Sequence, residues 1–256
     1  MMTSKASSAE WRTRWKRTQP AKESALPRLD HLTANDFQNV YEPSDDTYLF
    51  VDVIRSLGKI LREEVFTDER ALCCVEIGSG SGTLSATLLS ELKPLCSFSI
   101  ATDCNLLACE ATSSTMVENG FMGRADSINC DLVSVVQPNS FDILLFNPPY
   151  VPTADDEVGG VDITAAWAGG YKGRQVLDRL FPMLEDCLRK KSLLLILAVE
   201  ENDPDDIARI LEGDHGYTCY CVGARKAFNE RLLVILAIRG VDLESSFPSE
   251  DQETKL

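Results

Sequence analysis

The sequence predicts an α/β domain built on a largely parallel sheet with helices on both faces. Three observations carry this. From residue 71 onward, short apolar runs alternate with helix-length stretches. The glycine-rich turn Gly78-Ser-Gly-Ser-Gly82 separates the first apolar run from the first helix after it. The run Phe141–Phe146 ends abruptly on Asn147-Pro148-Pro149-Tyr150. Both turns fall at the carboxyl ends of strands, where such sheets bind their ligands.

In chain order, residues 1–40 read as a basic extension that is expected to be disordered. Within it, Trp11-Arg-Thr-Arg-Trp-Lys-Arg17 is a basic aromatic cluster interrupted by Glu10 and Glu23. It fits a solvated tail, a nucleic-acid contact or part of a targeting sequence. Tyr41-Glu-Pro-Ser-Asp-Asp-Thr47 leads into a helix whose Phe50, Val53, Ile54, Leu57 and Leu61 share one face. Ser44 suits its N-cap, and Asp45 and Asp46 suit its first turn. The alternating region then gives a strand over 71–77, a helix over 83–92, a strand over 97–102 and a helix over 106–118. A short strand near 127–130 and the buried strand 141–146 follow. After a long loop come a helix over 174–188, a strand over 192–199 and a helix opened by Pro204 and running to Leu211. Strands over 217–222 and 232–238 finish the domain, which occupies residues 41–240. Residues 241–256 are acidic and Ser-rich and are expected to be disordered.

A chain of 256 residues accommodates one such domain with extensions. Hydrophobic content of 44% and charged content of 25% are ordinary globular values. No apolar run reaches the ~18 residues of a membrane helix, and the start has no apolar signal-peptide core. The nine cysteines contain no Cys-x-x-Cys pair and read as buried free thiols in a reducing compartment. Cys219 and Cys221 would share one face of a strand, which fits a structural role better than a metal or redox pair. Only His31 and His215 could assist a zinc site, so no metal is expected. The formal net charge of −15 argues against broad docking on a nucleic-acid backbone, although it leaves room for a local basic patch.

Two stretches carry chemistry. In Asn147-Pro-Pro-Tyr150 each proline fixes its own φ and lacks an N–H. Each also holds the preceding residue out of the α region. The carbonyls of Asn147 and Pro148 are left without those donors and can serve a ligand. With the Asn147 amide, the fixed Pro149 and the flat ring of Tyr150, the turn suits a planar –NH₂ group. A plain turn after a strand is the competing reading. In Val75-Glu-Ile-Gly-Ser-Gly-Ser-Gly82, Gly78 and Gly80 permit a sharp turn and a close backbone approach. Asp103 ends the next strand, in register to reach a ribose. The third glycine comes one residue early for a dinucleotide fingerprint. Glu76 would repel phosphates but suits a cationic ligand. Asp131 and Leu132, after the third strand, offer an acceptor for an adenine amino group and an apolar contact for its ring. A helix cap or turn also fits Asp131.

Together and in order, these motifs resemble a class I methyltransferase acting on an amide or amino nitrogen. With Tyr41–Thr47 and Ala165-Ala-Trp-Ala-Gly-Gly-Tyr-Lys-Gly-Arg174 added, the chain resembles the HemK-type glutamine methyltransferases of translation release factors. The eukaryotic–archaeal branch matches more closely, since the chain has no room for the helical N-terminal domain of the other branch. The likeness covers about residues 40–240. It implies a Rossmann-like seven-stranded sheet with its last strand antiparallel. It implies S-adenosyl-L-methionine as cofactor, contacted by Thr47, Glu76, Gly78, Gly80, Asp103, Asp131, Leu132 and Asn147. It also implies a small zinc-binding activator subunit pairing with an edge strand, for which 127–130 is the candidate. The implied substrate is the glutamine of a Gly-Gly-Gln loop in a class 1 termination factor, and the implied compartment is the cytoplasm, with the nucleus as a further one.

Asn147, Pro148, Pro149 and Tyr150 form the expected catalytic turn. Asn147, Pro148, Tyr150 and Trp167 are the expected substrate contacts, although Trp167 also fits a buried loop anchor. An adenine-N6 methyltransferase needs the same –NH₂ clamp, and a lysine nitrogen could enter the same turn. A non-catalytic cofactor-binding scaffold would not need the turn.

Overall fold

The computed structural model describes residues 10–15, 25–67, 70–228, 230–241 and 243. Strands β1 (Leu72–Ile77), β2 (Cys96–Asp103), β3 (Ala125–Asn129), β4 (Phe141–Phe146) and β5 (Leu188–Val199) are mutually parallel. Strands β6 (Thr218–Ala227) and β7 (Glu230–Arg239) form a hairpin, with β7 antiparallel to both β5 and β6. The seven-stranded order is β3-β2-β1-β4-β5-β7-β6, so the expected antiparallel last strand is present.

The period-2 alternation of buried strands builds the two apolar layers. Leu193, Leu195 and Leu197 of β5 join the layer that contains helix α2 (Asp45–Ile60) and helix α3 (Thr83–Glu91). Leu194, Ile196 and Ala198 join the other layer, with α5 (Gln175–Leu180), α6 (Leu184–Cys187) and α7 (Pro204–His215). Helix α4 (Leu106–Glu118) lies against β2 and β3. Cys219 and Cys221 both pack in the second layer, as the strand period requires.

Three expectations need correction. The helix over 174–188 is broken: Phe181–Met183 is a tighter turn containing Pro182, which has no N–H to continue the ladder, and Leu188 already belongs to β5. Ser44 precedes α2 but makes no side-chain cap. The solvated basic tail does not describe residues 10–15. Trp11–Arg14 forms the short helix α1, packed on β6. Trp11 is only 2% exposed. Its indole N–H donates to Asp205 at 2.8 Å. Arg12 donates to Glu200 at 2.8 Å and Asp205 at 2.9 Å, and Arg14 pairs with Glu212. An acidic body supplies carboxylates for this cluster, so its charge is spent internally. Residues 25–40 also touch the domain, with His31 Nε2 3.1 Å from the Thr115 hydroxyl and Val40 buried. Residues 1–9, 16–24 and 244–256 lie outside the described residues, and with them a little under half of the expected amino-terminal extension and most of the carboxyl-terminal tail.

At the amino end of β4, away from the glycine loop, Asp142 is fully buried. Its carboxylate accepts from Arg70 and Arg189, each at 2.6 Å, and from the Cys73 N–H at 2.9 Å. Charge-assisted bonds of this kind are worth roughly 1.5–3 kcal/mol each when a partner is removed. Asp142→Ala is therefore expected to lower unfolding free energy by about 2–4 kcal/mol in urea titrations. Cofactor affinity of the folded variant should not change, because the site lies at the other end of the strand.

Candidate active site

Strand register brings the separate motifs to one place. Ile77 pairs with Thr102 on one side and Phe146 on the other. The residues that follow, Gly78, Asp103 and Asn147, therefore emerge side by side. Asp103 is in turn level with Asn129, which brings Asp131 and Leu132 to the same edge two and three residues later. Here the sheet opens into a cavity of about 380 Å³, a size that suits a small cofactor.

The glycine loop is held from below and behind. The N–H groups of Gly78 and Ser79 donate to the Thr102 carbonyl at 2.8 and 3.1 Å. The Gly80 N–H donates to Asp103 Oδ2 at 3.0 Å, while Asp103 Oδ1 accepts from the Asn105 N–H at 2.9 Å. Gly78 and Gly80 have φ of +66° and +53°, in the left-handed region that disfavours other residues. The space beside Gly80 is open where a Cβ would stand, and the residue lines the cavity. Thr112 and Thr115 of α4 donate their hydroxyls to the Gly80 and Ser81 carbonyls from the rear.

Glu76 is buried at the floor. Its carboxyl accepts from the Ser85 N–H at 2.8 Å and from the Ser85 hydroxyl, which caps the first turn of α3. Burial pushes Glu76 up to about 8, and the nearby Asp103 adds to the shift. Burial likewise raises Asp103, against two lowering backbone bonds.

At the other side, Asn147 Nδ2 donates to Asp46 Oδ2 at 2.9 Å. Asp46 is itself buried, and its Oδ1 accepts from the Thr47 N–H at 2.7 Å and the Tyr41 hydroxyl at 3.2 Å. A carboxylate can only accept, so the Asn147 amide must turn its –NH₂ toward it. That leaves Asn147 Oδ1 buried with no partner among the described residues.

Three comparisons place this geometry among known proteins. The family model for the methyltransferase small domain matches residues 58–163. The human "Methyltransferase HEMK2" is 36% identical over 216 residues, 82% of this chain and 95% of that protein. The chain belongs to the HEMK2/Mtq2 family of methyltransferases. The Schizosaccharomyces pombe "eRF1 methyltransferase catalytic subunit mtq2" is 34% identical over 84% of this chain and 96% of its own length. The E. cuniculi Mtq2-Trm112 complex, described as responsible for methylation of the eRF1 termination factor, supplies a similar fold. Its TM-score is 0.57 at 25% identity, covering 78% of this chain and 99% of that one.

As a member of this family the chain is a methyltransferase, which implies S-adenosylmethionine as methyl donor. Of the residues expected from the sequence, Thr47, Glu76, Gly78, Gly80, Asp103, Asp131, Leu132, Asn147 and Pro149 line the cavity. Pro148, Tyr150 and Trp167 stand outside its lining. Asp131 lies at the rim, paired with Arg179, so an adenine amino group would share its carboxylate. Leu132 is buried with φ of +49°, an uncommon conformation for a residue with a side chain. Trp167 is half-buried, and its carbonyl accepts from the Val151 N–H at 3.1 Å. Asp46 and Tyr41 were not expected in the site. Their motif was visible, but two adjacent acids at a helix start read as ordinary first-turn charge. The Asp46–Asn147 bond spans 101 residues and has no local signal. Among the described residues there is no group of side chains that could hold a metal ion.

Glu76 gives this site a pH signature. Its folded pKa lies above the unfolded value of 4.5, so its stabilising contribution is full below that value and lost as pH rises through about 8. Thermal unfolding of the ligand-free protein between pH 6 and 9 should show wild type losing stability relative to Glu76→Gln. Parallel curves for the two proteins would contradict the raised pKa.

Proposed function

We propose that this chain transfers methyl from S-adenosylmethionine to the side-chain nitrogen of the glutamine in the Gly-Gly-Gln loop of a class 1 translation termination factor. The observation that carries the reading is the buried Oδ1 of Asn147, which has no partner among the described residues and is fixed in direction by Asp46. A site that bound only the cofactor would have no use for such an acceptor. The names of the fission-yeast protein and of the E. cuniculi complex, both tied to eRF1, support the choice of acceptor.

The residues present fit the cofactor. The cradle at Gly80, the acidic side chains of Asp103 and Glu76 and the cavity volume suit a nucleoside joined to a cationic amino acid. When bound, S-adenosylmethionine supplies an electrophilic methyl group on sulfur. We assign the rest of the work to Asn147 Oδ1 and the Pro148 carbonyl. An amide nitrogen is a weak nucleophile because its lone pair is delocalised. The two acceptors take its two N–H bonds, turn its lone pair toward the methyl and stabilise the positive charge that develops on nitrogen. Alignment of this sort can contribute about 7–11 kcal/mol in favourable cases. Tyr150 would cover one face of the acceptor and Trp167 would flank the incoming loop. Burial raises the Tyr150 hydroxyl, and Tyr41 is pushed up to about 12, so both stay neutral at physiological pH. The proton lost after transfer then goes to water rather than to either tyrosine.

The activator subunit is assigned to β3, which ends the sheet on one side. Met122 just before it is 75% exposed, and Val117 and Val135 nearby are exposed as well. An uncovered strand edge flanked by apolar side chains favours association. The reading places the protein with its substrate in the cytoplasm. No helix among the described residues is long and apolar enough to cross a membrane.

With labelled cofactor and co-expressed activator, wild type should label a termination factor but neither its Gln→Asn variant in the Gly-Gly-Gln loop nor duplex DNA. Asn147→Ala should abolish turnover while remaining folded, and Asp46→Ala should lower kcat by about 10²-fold. Label on DNA would move the acceptor to adenine. Separately, the isolated chain should aggregate, and co-expression with the activator should yield a stable heterodimer. A stable and fully active monomer would remove the activator from the reading.

A further inference from the structure

We infer that Asn202 is a positioning residue for methyl transfer, holding the Asn147–Tyr150 turn from behind without touching either substrate. The inference rests on the proposed role of that turn. Asn202 lies in the short turn Glu200–Asn202 just after β5 and is 1% exposed. Its side chain joins three segments. Nδ2 donates to the Tyr150 carbonyl and to the Lys172 carbonyl, each at 2.8 Å, with the Gly173 carbonyl at 3.4 Å. Oδ1 accepts from the Val199 N–H at 2.8 Å, the last residue of β5. One buried amide thus ties the end of the reactive turn and the glycine-rich loop to the rigid sheet.

The glycine-rich loop fits the turn closely enough for this to matter. A Cβ on Gly173 would lie 1.8 Å from the Tyr150 carbonyl oxygen, and one on Gly169 would lie 2.3 Å from the Pro149 carbonyl oxygen. Val151 and Gly169 exchange backbone bonds with this stretch, Val151 N–H to the Trp167 carbonyl and Gly169 N–H to the Val151 carbonyl. The φ of Pro149 is fixed, and the Pro149 and Tyr150 carbonyls pack tightly against Gly169 and Gly173, so a shift at the Tyr150 carbonyl is passed in part to the Pro148 carbonyl. The Pro148 carbonyl is one of the two acceptors assigned to the reacting nitrogen. A side chain that sets its position should therefore affect the chemical step more than cofactor binding.

Asn202→Asp tests this. The substitution keeps an acceptor for the Val199 N–H but sets a carboxylate against the Tyr150 and Lys172 carbonyls. Protonation restores one donor. At pH 8 the variant's kcat should fall at least about tenfold, with Kd for S-adenosylhomocysteine within about twofold of wild type. The ratio of variant to wild-type kcat should then recover as pH is lowered toward 6. A merely structural role would lower thermal stability and cofactor affinity together and give no such recovery. Should Asn202→Asp fail to fold, Asn202→Ser should show the same loss of kcat at unchanged Kd, without the pH recovery. Unchanged kcat in either variant, or a loss matched by cofactor affinity, overturns the inference. The ratios are read on whichever nitrogen acceptor the wild-type enzyme labels, so failure of the glutamine assignment is seen in the wild-type control alone.

Discussion

The site depends on a single hydrogen bond between the half-buried Asn147 and the buried Asp46, Asn147 Nδ2 to Asp46 Oδ2. An amide offers two faces of nearly equal shape and opposite chemistry. Without a fixed neighbour, its oxygen and its –NH₂ could exchange places, and the acceptor needed for an incoming N–H would be present only part of the time. The Asp46 carboxylate removes that freedom because it has no proton to give. Its own position is fixed by Thr47 and Tyr41. The order of the chain explains why this needs a folded domain: one partner lies in the first turn of α2 and the other follows β4.

The sheet performs a second selection. Parallel strands placed in register align their carboxyl ends, so residues following β1, β2, β3 and β4 share one rim. The cavity is then a consequence of strand order. Inverting that order would leave the same motifs in the sequence and no site in the molecule. Opposite ends of the sheet hold different kinds of acid. Asp142, at the amino end of β4, is saturated by two arginines and a backbone N–H. Glu76, near the carboxyl end of β1, has only neutral donors from Ser85 and a raised pKa. The first arrangement suits stability, and the second leaves a buried acid able to respond to a cation.

Much of this was legible in the residues. The apolar runs at 71–77, 141–146 and 192–199 announce buried strands, and Leu106–Glu118 is a helix with both ends where the sequence puts them. The two turns identify themselves through glycine and proline, residues whose backbone limits are intrinsic. What stayed hidden depends on contact across the fold. Asp46 resembled a first-turn acid, and Trp11 and the arginines beside it resembled a solvated basic segment. Asn202 gave no local sign, since three of its four partners come from two distant stretches. Pro182 was the exception: the break it causes between α5 and α6 follows from proline itself and was readable in advance.

Helix α1 has a consequence for how the chain is made. Trp11 meets its partner Asp205 across 194 residues, and Arg14 reaches the Cys219 carbonyl across 205. Contacts this remote close late, after the loop entropy of nearly the whole chain has been met. On the ribosome, Trp11 is synthesised long before the surface that receives it. Helix α1 is therefore among the last elements to dock, and it covers part of β6, the second strand edge of the sheet. Until β6 and α7 have emerged, the nascent domain keeps both an unburied tryptophan and an open edge, which defines the interval in which it most needs a chaperone.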